Sequence, residues 1–175
     1  TVAVDAIFER VQMPEVNLKH ADLRGASFVG GANLQKVNLD YSRLSRADFS
    51  SANLSEAKLN VVLGAEAAFS AAILRAAELS RSDFSRANFS SARMERVDLR
   101  ETNLRLANFR STTLTDAKLE KARLRGALYT KSSRLPLSPE EAEALGMVLL
   151  KRDGIALFYD RAYVDTQEGN QGEAY

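Results

Sequence analysis

Ala47-Asp48-Phe49-Ser50-Ser51-Ala52-Asn53-Leu54-Ser55-Glu56 holds two units of a five-residue beat. Each unit has a small residue, an acid or amide, a large apolar residue, then two polar ones. Taking the large apolar residue as the centre, the beat extends in both directions. Centres fall at Leu34, Leu39, Leu44, Phe49, Leu54 and Leu59, resume at Phe69 and keep step to Tyr129. Upstream, Phe8, Met13, Leu18, Leu23 and Phe28 keep the same beat one residue out of phase. Of these 25 centres, all but Gly64 are Leu, Phe, Met or Tyr. Two positions before every centre stands Ala, Val, Ser or Thr.

A period of five suits neither an α-helix at about 3.6 nor a flat strand at about 2. Within a unit, the centre and the residue two before it point to the same side. If each unit forms one short side of a coil, both face an interior too narrow for two bulky groups. A small residue beside each large one then follows from close packing. Such a coil buries its apolar contents only by stacking on the next, as solenoids do.

The units Ala21-Asp22-Leu23-Arg24-Gly25, Ala47-Asp48-Phe49, Ala52-Asn53-Leu54-Ser55 and Ala87-Asn88-Phe89-Ser90 closely resemble those of the pentapeptide repeat family, and the likeness runs from Phe8 to Tyr129. The resemblance implies an all-β fold, a right-handed quadrilateral parallel β-helix with four units per coil. Twenty-five units then give about six coils, a rod on the order of 30 Å long at roughly 4.8 Å per coil. The expected organisation is a repeat domain over residues 1–131, a helix-and-hairpin cap over 132–164 and a flexible tail over 165–175. In the cap, Ser138-Pro139-Glu140-Glu141 reads as a helix start and Gly146 as its end. Met147 to Leu150 and Ile155 to Tyr159 flank Lys151-Arg152-Asp153-Gly154, a hairpin signal. The tail after Asp165 is polar and Gly-rich.

Folding the units four to a coil sorts them into columns. Phe8, Phe28, Phe49, Phe69, Phe89, Phe109 and Tyr129 share one, which predicts a stack of aromatic rings. The neighbouring column reads Leu44, Gly64, Phe84, Leu104, so the Phe84 ring is expected to occupy the space above Gly64. The phase slips at Val29-Gly30-Gly31-Ala32, where two glycines can absorb one extra residue at a corner.

The outward residues differ between faces. One face is basic, with Arg24, Arg43, Arg46, Arg86, Arg105, Arg123 and Arg125 against Asp22, Glu66 and Asp83, and no exposed aromatic is expected beside it. The next, over the Phe column, is rich in Ser50, Ser51, Ser70, Ala71, Ser90, Ser91 and Ser111. A third sets Lys58 one coil from Glu78 and Asp98 one coil from Lys118, which predicts opposite charges paired across coils. In the middle coil, Val61, Leu63, Ala68 and Ile73 stand where other coils carry charge, a candidate contact site for a protein partner. The N-terminal coil has no covering helix in the sequence, which marks it as a further homodimer or complex contact.

The chain has 175 residues, a net charge of +1 and no cysteine, so no disulfide or thiolate chemistry enters. Its one histidine, His20, falls at an outward corner with no partner at a ligand or triad spacing, and reads as solvated surface. No apolar run reaches the length of a membrane span. The expectation is a non-enzymatic protein without catalytic, metal or cofactor site. It would serve as an interaction or structural rod: an adaptor, assembly factor or structural subunit of a larger protein complex.

The family also contains DNA mimics that occupy type II topoisomerases. Mimicry requires an acidic rod, whereas residues 1–131 hold 20 Lys and Arg against 15 Asp and Glu, a net of +5. Nucleic-acid binding is not favoured either, since acids interrupt the basic face. Family members occur in photosynthetic bacteria and in chloroplasts, including the thylakoid lumen. That resemblance suggests a photosynthetic organism and a soluble protein of the cytoplasm, chloroplast or thylakoid lumen. The first residue, Thr1, is not Met and reads as the product of processing or trimming.

Overall fold

The computed structural model describes residues 1–150. Its backbone winds as a four-sided coil in which each side carries one parallel bridge to the coil above and one to the coil below. The four columns of bridges begin Val2↔Asp22, Ile7↔Ser27, Gln12↔Asn33 and Asn17↔Asn38. The bridging residue is the Asp or Asn position of each unit, and the residues on either side of it turn inward. Because a side is this short, almost the whole wall consists of single bridges rather than strands. The named elements lie on the last regular unit and beyond it: strand β1 (Leu128–Thr130), helix α1 (Pro139–Ala144) and strand β2 (Val148–Leu150).

Each side is tied to the next coil by three backbone hydrogen bonds. Between Leu44 and its neighbours these are Leu44 N–H to the Leu63 carbonyl (2.7 Å), Leu63 N–H to Ser42 (3.1 Å) and Arg46 N–H to Ala65 (3.0 Å). The corners explain the Asp or Asn of the repeat. Its side-chain oxygen accepts the N–H two residues on, as Asp48 does from Ser50 at 2.8 Å and Asn53 from Ser55 at 3.1 Å. That local bond sets the turn. The next corner residue then sits at positive φ, between 53° and 62° for every non-glycine case.

The interior is filled. Rings stack in an unbroken series from Phe8 to Phe109, with centroids 4.7–5.3 Å apart and planes within 9° of parallel. Each of the five contacts contributes about 0.5–1.5 kcal/mol beyond area burial. Tyr129 continues the column in register and is 8% exposed. Where a small position carries a hydroxyl, that hydroxyl is also satisfied. Ser82, Thr102 and Thr112 donate to the carbonyls of Leu59, Leu79 and Phe89 at 2.6–2.8 Å. No buried side-chain N or O is left unbonded among the described residues.

Gly64 and Phe84 pair as expected. A Cβ on Gly64 would run into the Phe84 ring, 2.7 Å from Cδ1 and closer still to Cε1. The ring fills that space and meets Phe69 and Phe89 edge-on at 5.7 and 6.0 Å. The slip is absorbed at Gly30 and Gly31, both near φ +77°. There the bridge spacing changes from 20 in Ile7↔Ser27 to 21 in Gln12↔Asn33, and the columns stay aligned.

Past Tyr129 the winding goes further than the beat suggests. Arg134 still bridges Thr113, at a spacing of 21, and Val148 pairs with Leu128 at a spacing of 20. Between them α1 replaces coil sides, its N-terminus closed by a reciprocal Ser138–Glu141 capping box. Gly146 follows it at φ +76°, and Ala142 and Met147 are buried against the core. Val148 to Leu150 thus pair in parallel with β1. The rest of the expected hairpin, from Lys151 on, and the expected tail from Asp165 lie outside the described residues.

The third face keeps its expected register but not its expected pairs. Lys58, Glu78, Asp98 and Lys118 do bridge in sequence. Asp98, however, is held by Arg100 of its own corner through two oxygens, at 2.5–3.0 Å, and Glu78 accepts from the Asn60 amide at 3.0 Å. The arm two residues along needs less ordering than one reaching from another coil. Cross-coil pairs form instead between corner residues, as Arg75–Glu95 (3.2 Å) and Arg46–Glu66 (3.0 Å).

Two outcomes follow from this packing. Gly64→Leu should destabilise by about 1–3 kcal/mol through overpacking, lowering the melting temperature. Adding Phe84→Leu to that variant should recover most of the loss, because the two sites share one space. The Arg100 hydrogen bond, then the Arg100 backbone bond and charge, hold the Asp98 carboxyl below its ordinary range against the opposing effect of burial. A depressed carboxylate stabilises the fold above its unfolded pKa, and that increment disappears as pH falls through the folded value. Arg100→Gln should therefore raise the Asp98 titration midpoint seen by carboxyl NMR. The variant should be less stable than the parent at neutral pH, and the gap should narrow in acid.

Candidate interaction surface

The four apolar residues of the middle coil occupy three faces. Leu63 bridges on the basic face and is 56% exposed, and Val61 sits at the corner leading into it, 40% exposed. Ala68 lies on the serine-rich face and Ile73 on the face after it, both half-buried. The structure thus brings Val61 and Leu63 together and places Ala68 and Ile73 apart from them, along a belt around the rod.

Among the described residues Val61 is the one β-branched residue at a left-handed corner, with φ +57°. That conformation costs an L-residue about 1–2 kcal/mol, and branching at Cβ makes it a genuine outlier. The side chain faces outward and is 40% exposed.

The corner below it supplies an exposed aromatic that was not expected beside the basic face. Tyr41 is 50% exposed and donates its backbone N–H to the Asn60 carbonyl at 3.0 Å, directly under Val61. The His20 ring, expected as plain solvated surface, stacks on Tyr41 at 5.2 Å, and the Lys19 ammonium lies 5.0 Å from the Tyr41 ring centroid. His20, Tyr41, Val61 and Leu63 therefore form a continuous exposed strip. Reading the corner column His20, Tyr41, Val61, Arg81 along the sequence would have revealed it.

The basic face divides into two halves. Toward the N-terminus Asp22 holds both Arg24 (2.7 Å) and Arg43 (3.6 Å), and Glu66 holds Arg46. The Arg24 hydrogen bond keeps the Asp22 carboxyl below its ordinary range, while burial works in the opposite direction. Toward the C-terminus, Arg86, Arg105 and Arg123 make no ion pair among the described residues. The nearby carboxylate, Asp83, is occupied by the Asn103 amide (3.0 Å) and the Ser85 N–H (2.9 Å). Arg125 stands one coil beyond Arg105 on the same face. The excess positive charge is thus gathered at one end, adjoining the apolar strip.

Elsewhere the described exterior is largely polar. Ser50 and Ser70 share a hydrogen bond at 2.9 Å, and Asn108 donates to Asn88 at 3.1 Å. An open depression beside Ala76 is lined by acids and bases together, among them Glu78, Asp98, Arg81 and Arg96. No group of His, Cys, Asp and Glu among the described residues could hold a metal ion. No helix among them is long and apolar enough to cross a membrane.

The family profile described as Pentapeptide repeats matches in 8 copies, over residues 1–30, 30–60, 65–100 and 92–128. No curated protein matches the chain. Among solved structures, HetL of the cyanobacterium Nostoc sp. strain PCC 7120, a pentapeptide repeat protein involved in heterocyst differentiation regulation, is 23% identical with a TM-score of 0.44. The match covers 74% of this chain and 62% of HetL. A pentapeptide repeat protein of the Arabidopsis thaliana thylakoid lumen is 26% identical over 73% of this chain and 76% of its own, with a TM-score of 0.39. The plasmid-mediated fluoroquinolone resistance protein QnrB1 is 12% identical over 99% of this chain and 100% of its own, with a TM-score of 0.44. With the five-residue beat, the four bridge columns and the profile match in agreement, the chain belongs to the pentapeptide repeat family.

Proposed function

We propose that the protein is a non-enzymatic rod that binds another protein, acting as an adaptor, assembly factor or structural subunit. In this reading residues 1–131 form the right-handed rod of about six coils. Residues 132–164 form its lid and 165–175 its tail. The observation that carries the reading is a filled bore wrapped by an apolar belt. With the interior occupied by stacked rings, only the outer surface is available to act. At the rod's middle that surface exposes Val61 and Leu63 where other coils place charge. Scattered single apolar residues are common on protein surfaces, but a strip joined to an aromatic marks a contact site. The basic face, Arg24, Arg43, Arg46, Arg86, Arg105, Arg123 and Arg125, flanks it and supplies the charged rim. The first coil is a second contact candidate, since Val2 and Ile7 are 78% and 77% exposed.

Affinity purification from the native source, with the partner identified by mass spectrometry, tests the reading. Leu63→Glu and Ile73→Glu probe two different faces of the belt, and both sites already face outward, so the fold should persist by circular dichroism. Loss of the partner with either variant is expected, and the variant responsible names the face. A partner retained by both would remove the belt from the account.

A further inference from the structure

We propose that the face carrying Leu63 binds an acidic, amphipathic segment of a protein partner. The segment's apolar side chains seat on Tyr41, Val61 and Leu63, and its carboxylates meet Arg86, Arg105 and Arg123. This rests on the reading of the chain as a protein-binding rod and specifies the chemistry of the partner.

Three independent observations point to this occupant. First, Val61 combines exposure with a backbone conformation that glycine or asparagine would adopt at lower cost. A locally unfavourable backbone conformation at an exposed apolar residue is where function is expected to reside. Second, the strip carries an exposed tyrosine, a residue type enriched at interface centres, backed by a stacked imidazole and next to exposed apolar surface of Leu63 and Val61. Third, the charge around the strip is lopsided. On the N-terminal side the arginines are neutralised by Asp22 and Glu66, whereas Arg86, Arg105 and Arg123 on the other side have no ion-pair partner among the described residues. A complementary surface is apolar at one end and negative at the other.

Two other occupants fit less well. In a two-fold dimer through this face each patch would meet its own copy, bringing arginines toward arginines while Asp22 and Glu66 are already paired and Asp83 is already hydrogen-bonded. Duplex DNA would meet an uncharged strip and the carboxylate of Asp83 in the same column as Leu63. Both remain distinguishable by experiment.

The probe is a random-peptide library displayed on phage and selected against the full chain. Enriched peptides should carry net negative charge with at least one large apolar residue, and a synthetic copy should lose affinity steeply with added salt. Affinity should fall by about tenfold or more in the charge-reversed variant R86E/R105E/R123E and in L63E. Val61→Asn should weaken binding while raising the melting temperature, a divergence that a purely structural role for Val61 would not produce. Enrichment of neutral or basic peptides, no enrichment, or unchanged affinity in the charge-reversed variant would overturn the proposal. So would a short DNA duplex that displaces the peptides, or a dimer in solution that the charge reversal dissociates. If the native partner is lost on L63E yet kept by R86E/R105E/R123E, the acidic partner is wrong and the rod reading stands. If L63E keeps it, the contact lies on another face and the proposal fails; if no native partner is recovered at all, the rod reading itself fails.

Discussion

A square bore with room for one large side chain per side governs the whole molecule. Each large centre must be accompanied by a small residue, and each ring must lie flat on the ring of the coil beneath. That requirement produces the Phe8-to-Phe109 stack and makes Gly64 and Phe84 a complementary pair rather than two exceptions. It also explains the polar residues inside. Ser82, Thr102 and Thr112 fit because they are small, and each hydroxyl is satisfied by a carbonyl of the preceding coil. An interior so used has no volume for a substrate, and whatever the protein recognises must be met on its outer surface.

The corners set the terms of that surface. Their left-handed conformation swings one side chain per unit clear of the wall, and those side chains reach their neighbours one coil away. Strand residues behave differently: Asp22 and Asp98 are held most closely by the arginine two positions on, and Asp22 reaches Arg43 of the next coil only at 3.6 Å. Charge is therefore neutralised in short local loops where an acid precedes an arginine. It is left over where none does, as around Arg105 and Arg123.

Much of the bore was legible in the sequence, because packing there admits few solutions. The columns, the slip at Gly30-Gly31, the ring above Gly64 and the Ser138 helix cap all follow from bulk, spacing and φ preference. The outer surface was less legible, since no packing rule decides which arginine an aspartate will choose or whether a tyrosine will lie flat. Tyr41 stands at a corner, where the repeat imposes no residue type, so nothing in the beat marks the column that carries the strip. Arg134 and Val148 were hidden for another reason: an extra residue and a helix interrupt the spacing that would have tied them to Thr113 and Leu128.

The three backbone bonds on each side all run lengthwise, from one coil to the next, whereas the covalent chain runs around the perimeter. The molecule is accordingly a stiff spring of unequal strengths. A sideways load meets peptide bonds and interlocked rings, but a lengthwise pull is resisted only by one rung of hydrogen bonds and the ring-on-ring contacts beneath it. A partner held along the flank presses on the strong direction, while tension applied through the two ends would part the coils at whichever rung is weakest.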